Sequence, residues 1–275
     1  MNSLELLQEI FQYDFAVKAL IVGILVSLCS ALLGVTLVLK RYAMIGDGLS
    51  HVGFAALSIA LVGNLAPLQV SIPIVVVAAL LLLRLSERSQ IKGDAGIALI
   101  SSSALAIGVL VTSWAGGMNT DVYNYMFGSI LAMSDSDVIL SVIFSLIVLV
   151  LYCFCYQEIF AITFDEGFAK ATGVRIEFLK LLLALLTAIT VVVGMRMMGT
   201  LLISSLIVFP AVTAMLLFHG FRKVVIVAAI LSVLCFLVGI MVSFLFDLPV
   251  GASVVAIHLV LFILFYLIRK LLKIS

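Results

Sequence analysis

The chain is divided into apolar runs, most of them long enough for a bilayer, at 15–39, 48–63, 67–85, 95–115, 138–157, 178–195, 199–218, 223–246 and 251–268. A helix of about 20 apolar residues matches the hydrocarbon thickness of a bilayer. Inside lipid every backbone N–H and C=O needs a partner from the protein, so the choice is a helical bundle or a closed barrel. These runs are continuous and lack the alternation of a barrel strand, which selects helices. An all-α polytopic bundle of eight or nine transmembrane helices is predicted, with the whole of 1–275 as one membrane domain. The count depends on two places: the short run 48–63, and the pair 178–195 and 199–218, parted only by Gly194 to Gly199. Composition agrees, at 65% hydrophobic, 11% charged and a mean hydropathy of +1.40, where soluble domains carry roughly a quarter charged residues. The lipid bilayer is the expected surrounding, and no nucleic-acid partner is expected.

Charge sets the orientation. With the Lys40-Arg41 turn on the cytoplasmic side, alternation over nine spans places all Lys and Arg there except Lys18 and Arg196. Such a bias orients membrane proteins, giving an outer N-terminus and a cytoplasmic C-terminus. Glu5, Glu9, Asp14, Asp121, Asp135, Asp137 and Asp247 fall on the outer face. They suggest an acidic mouth that concentrates cations, although any chain of this polarity leaves its acids there. The opening, with Glu5, Glu9 and Asp14 before the first Lys, does not read as a secretory signal, and 4–15 is expected to lie along the interface. The aromatic stretch 119–133 reads as an interfacial or re-entrant helix. Cys29, Cys153, Cys155 and Cys235 all sit in apolar runs, so no disulfide framework follows. Cys153 and Cys155 would point to different helix faces and read as packing residues. The halves show no inverted repeat, which weighs against a secondary carrier.

The chemistry gathers at Lys40 to Ala60. Asp47 and His51 stand four apart and share one face of a helix. Ionisable groups in a membrane helix mark function by default, and carboxylate plus imidazole is a ligand pair for a transition-metal dication. One pair supplies two ligands where zinc commonly takes four, so a symmetric dimer would complete the set on its axis. The plainer alternative is that Asp47, after Gly46, caps the helix. A second signal is 164–174, with acids first, Lys170 later and Gly173 to close a short helix. The third is Gly194-Met195-Arg196-Met197-Met198-Gly199, followed by Pro210, expected to kink or interrupt its span. These methionines read as gap-fillers before soft metal ligands, and His258 as a packed residue before a ligand. Neither a Gly-x-x-x-x-Gly-Lys-Ser/Thr phosphate loop nor a His-Glu-x-x-His motif is present.

Gly46-Asp47-Gly48-Leu49-Ser50-His51, entered through a basic turn, resembles a motif of the permease subunits of bacterial ATP-binding-cassette importers for zinc and manganese. Three further stretches resemble that family in order: Phe127 to Leu131, Phe164 to Val174 as its cytoplasmic coupling helix, and Gly199 to Ala214 with Phe209-Pro210-Ala211. The resemblance implies a homodimer of permeases, two cytoplasmic ATPase subunits that bind the ATP, and an extracytoplasmic metal-binding protein. It implies no permanently bound cofactor, with Zn2+ or Mn2+ as the transported ion. It makes Asp47 and His51 the metal ligands, and puts Asp165, Glu166, Ala169 and Gly173 on the helix that meets the ATPase. Gly48 and Val52-Gly53 depart from common members and are expected to make the helix more flexible.

An ATP-driven importer of a divalent metal, zinc before manganese, is therefore expected, with no ATPase site of its own. A permease for iron chelates or cobalamin is the alternative within transport. From another class, an intramembrane metal-dependent hydrolase would need a third group beside Asp47 and His51, for which His258 is the nearby type.

Overall fold

The computed structural model describes residues 14–88, 93–114 and 134–271. In chain order its helices are α1 (Asp14–Leu39), α2 (Ala43–Val62), α3 (Pro67–Arg88), α4 (Gly93–Trp114), α5 (Asp135–Phe154), α6 (Tyr156–Phe164), α7 (Glu166–Ala171), α8 (Ile176–Met198), α9 (Thr200–Leu217), α10 (Phe221–Phe246) and α11 (Val250–Leu271). Among the described residues, nine of these are long and apolar enough to cross a membrane. The chain is a polytopic helical bundle, and the higher of the two expected counts holds. Most of the interfacial segment expected at 4–15, and all of the helix expected at 119–133, lie outside the described residues.

The count is settled at Gly199, whose φ of +82° is a conformation glycine adopts freely. It ends α8 and opens α9, so the runs on either side are two spans. Gly194, expected within the break, instead lies inside α8, with Val26 and Ile203 closed over it. Pro210 does not interrupt its span: α9 runs through it, as α3 runs through Pro73. Neighbouring helices and local side chains re-satisfy the carbonyl that a proline frees, so transmembrane helices tolerate it.

α1 is the central post, packed against α5, α8, α9 and α10, while α2 is enclosed by α3, α4, α8 and α9. Small residues let these backbones approach, as membrane helices require when lipid supplies no hydrophobic drive. At Gly34 a Cβ would collide with the Ile207 carbonyl oxygen of α9. Val26, Leu33, Leu49, Phe54, Leu57, Leu186, Met195, Leu202 and Phe236 fill the core, while Leu110, Val150 and Val260 project from the perimeter. An apolar perimeter of this kind suits lipid contact.

The two ends of the bundle collect different charges. At the basic end Lys40 and Lys180 meet Glu166 at 2.6 and 2.8 Å. At the other end Lys18 meets Asp135 and Arg196 meets Asp137, both at 2.6 Å. Lys18 and Arg196 are the two cations that stood apart from the sequence-wide bias. They neutralise two of the acids expected to form a free acidic mouth, because a carboxylate at the edge of a low-dielectric region takes a counter-charge when one is near.

Candidate metal centre

The turn into α2 fixes where the metal-ligand candidates stand. Arg41 takes a left-handed φ of +61°. Its N–H donates to the Val38 carbonyl at 3.0 Å, and the Tyr42 N–H donates to Leu37 at 2.7 Å. This pair of bonds is the Schellman closure of a helix C-terminus, and α2 starts immediately after it at Ala43, not at 48. Tyr42 is the N-cap, without a side-chain bond. Asp47 therefore lies beyond the first turn and does not cap the helix.

Glycines then decide which way Asp47 faces. A Cβ on Gly46 would come 2.7 Å from Ile207 of α9, and one on Gly48 would come 3.0 Å from Ile97 of α4. The flanking positions are thus closed by two neighbouring helices, and Asp47 looks out between them. Gly53 admits Met195 of α8 in the same way, 2.6 Å from where its Cβ would stand. The expected flexibility at Gly48 and Gly53 is replaced by close packing, since a missing side chain inside a bundle is filled by a neighbour.

Asp47 Oδ2 and His51 Nε2 are 3.7 Å apart, with the side chains 40% and 24% exposed. That separation is too long for a hydrogen bond, so neither donor atom is consumed by the other. Met44, Ile59 and Val62 are also uncovered. Together with Met44, Asp47 and His51 form an uncovered strip along the first half of the helix; residues 52–58 are buried, and the same side is uncovered again at Ile59 and Val62. Ser50, one residue before His51, turns its hydroxyl inward and donates to the Asp47 carbonyl at 2.7 Å.

No third His, Cys, Asp or Glu joins the pair into a cluster among the described residues. His258 is buried on α11, with Nδ1 2.9 Å from the Val254 carbonyl and its ring beside Phe209. Met195, Met197 and Met198 are fully buried core residues. Cys155 is the joint between α5 and α6, and all four cysteines are free thiols.

At the basic end the expected short helix is α7, six residues long and closed at both ends. Asp165 is its N-cap, its carboxylate accepting from the Phe168 N–H at 2.9 Å. Gly173, at φ +88°, closes it with bonds from Gly173 N–H to Lys170 and Val174 N–H to Ala169. Ala169 is buried beneath the helix, whereas Phe164 and Phe168 are exposed. Beside α7 opens a groove lined by Gly167, Lys170, Val174, Arg175 and Glu177. Burial of the Glu166 carboxyl opposes its ionisation, but hydrogen bonds from Lys180 and Lys40 and their positive charges outweigh this and hold it below the ordinary value. In the sequence Lys40 belongs to the basic turn ahead of Asp47 and Lys180 is one of the cytoplasmic basic residues, and neither signals Glu166 as its partner. Their lone clue was that they stand close to the ends of spans.

The model of the ABC 3 transport family matches residues 12–269 of the chain. A manganese transport system membrane protein, MntC, of Listeria monocytogenes is 29% identical over 261 residues, covering 95% of this chain and 93% of that protein. A high-affinity zinc uptake system membrane protein, ZnuB, of Haemophilus influenzae is 30% identical over 252 residues, covering 92% and 97%. Among solved structures, PsaBC from Streptococcus pneumoniae in complex with Fab matches at a TM-score of 0.85 and 26% identity, covering 95% of this chain and 94% of that one.

Proposed function

Because this chain belongs to the ABC 3 transport family, and is thus a multi-pass metal-import permease of the plasma membrane, we propose that two copies form its ion path. In this reading the uncovered strips of the two α2 helices face one another. Each contributes Asp47 and His51, so a bare dication meets two carboxylates and two imidazoles near the two-fold axis. The observation that carries the proposal is that strip: the only acid and the only partly exposed imidazole described on α2 stand together where the chain leaves that helix uncovered. The pair lacks a third ligand group from its own chain among the described residues, which a second copy would supply.

Carboxylate and imidazole suit both zinc and manganese, and the ordinary affinity order favours zinc. Relatives named for each metal support both as cargo. A loaded extracytoplasmic binding protein delivers the ion. Two cytoplasmic ATPase subunits, which bind and hydrolyse the ATP, dock on the α7 corner through exposed Phe164 and Phe168 and the groove beside them. Asp165 and Gly173 shape that corner by capping α7, Ala169 seats it, and Glu166 fastens it. A hydrolase reading gains nothing from His258, whose ring is packed against Phe209. A chelate carrier has less need of the Asp47 and His51 pair.

The test is uptake of labelled zinc and manganese by the assembled transporter carrying Asp47→Ala or His51→Ala. Each should lower import by more than about tenfold, the loss that even outer-shell partners of metal ligands bring. Normal accumulation of both metals after both truncations would overturn the proposal.

A further inference from the structure

Nothing in the proposed ion path uses Lys40, yet the structure buries it. Its side chain is 9% exposed, and Nζ reaches Glu166 Oε1 at 2.6 Å and the Ile162 carbonyl of α6 at 3.1 Å. From the other side Lys180, 11% exposed, reaches Glu166 Oε2 at 2.8 Å. One carboxylate therefore stands between two nearly desolvated ammonium groups. Lys40 closes α1 just before α2 begins, and Lys180 lies in the second turn of α8. Two such cations repel strongly in a poorly solvated site unless an anion lies between them.

We propose that Glu166 is a positioning residue, the latch through which movement of the α7 corner is passed to the metal-bearing helix. The proposal rests on the reading of α7 as the ATPase-docking element. Two routes leave the latch. Through Lys40 and the closed turn at Arg41 it reaches the start of α2, and Asp47 follows about 6 Å further along the helix at the helical rise. Through Lys180 it reaches α8, which runs the thickness of the bundle and packs Met195 against Gly53, two residues beyond His51. Lys40 also holds the last turn of α6, so both arms of the α6–α7 corner are gripped by one side chain. A short bidentate carboxylate fixes both lysines at once. A glutamine offers one oxygen, and its amide N–H groups face the second ammonium.

The experiment uses the permease with its ATPase subunits in proteoliposomes and reads metal ions imported per ATP hydrolysed. Glu166→Gln should lower that ratio by about fivefold, within the range by which residues of a coupled network alter coupling, while the ATPase subunits still co-purify. Lys40→Arg should stay within about twofold of the parent, because the guanidinium keeps the charge and can reach the same oxygen. Glu166→Asp, which keeps the anion, should retain more of the ratio than Glu166→Gln. An unchanged ratio in Glu166→Gln, or a ratio in Glu166→Asp no better than in Glu166→Gln, overturns the latch. Loss of the ATPase subunits from Glu166→Gln also overturns it, by making Glu166 a docking contact. Phe168→Cys separates the two readings. If it cross-links to the ATPase while Glu166→Gln keeps its ratio, only the latch fails. If no cross-link forms, the docking reading fails and takes the latch with it.

Discussion

At one end of α8 Arg196 meets Asp137, and at the other Lys180 meets Glu166, but the two junctions are differently connected. Asp137 faces one guanidinium and also accepts from the Ser134 N–H and hydroxyl in a capping box. Asp135, two residues earlier, takes Lys18. Each carboxylate there has its own cation, and α1, α5 and α8 are fastened together. At the basic end the Glu166 carboxylate reaches two ammonium groups from two spans. The first junction is saturated and suits a fixed anchor. At the second, one carboxylate ties two spans together, so both respond if it moves, which suits a point where force enters.

The comparison can be broken by removing one partner at each end and measuring denaturant unfolding in mixed micelles. Arg196→Met should have the largest effect on stability. Both side chains of its pair are about 10% exposed, and leaving such a carboxylate without its cation costs about 3 kcal/mol. Transport per ATP should fall no more than stability explains. Glu166→Gln should show the reverse pattern: a loss of about 1 kcal/mol, because 41% of its side chain is exposed, with the coupling defect described above. If the two variants lose stability and coupling in the same proportion, the distinction between anchor and latch is gone.

Acidity sharpens the same contrast. The folded-state value of Glu166 is depressed below 4.5, so its stabilising contribution is fully present above that pH and is lost as pH falls through the depressed value. The stability difference between the parent and Glu166→Gln should therefore be constant from pH 8 to about 5.5 and shrink in more acidic buffer. A difference that fades already between pH 8 and 6 would mean another group titrates at the latch. Lys18→Ala is expected to be the mildest change, with unfolding indistinguishable from the parent, since Lys18 and Asp135 are largely in water.

Much of this arrangement is visible before any coordinates. The apolar runs give eight or nine spans, of which the described residues show nine, and the four-residue spacing of Asp47 and His51 puts them on one face. The caps of α7 follow from Asp165 and Gly173. The places that resisted are those where distant packing decides. Gly46, Asp47 and Gly48 are poor helix formers, so the sequence points to a start at 48. The helix begins at Ala43, directly after the turn at Arg41, and Ile207 and Ile97 from two other spans pack against the two glycines. Arg41 in a left-handed turn carries no glycine signal at all. The latch was hidden for a similar reason: Lys40 finds Glu166 across 126 positions of chain, and no local pattern says which of many basic residues will be buried. The charge bias used to set topology also concealed the paired acids, which looked like a free mouth until Lys18 and Arg196 were seen to neutralise them.

The most direct test of the account is whether the uncovered strip of α2 meets its own copy. In a variant with Cys29, Cys153, Cys155 and Cys235 replaced by alanine, a single Met44→Cys is treated with a short thiol-to-thiol linker in native membranes, with Val260→Cys on α11 as the outward-facing control. The account predicts a covalent dimer from Met44→Cys and monomer from Val260→Cys. Dimer from Val260→Cys, with none from Met44→Cys, would contradict it.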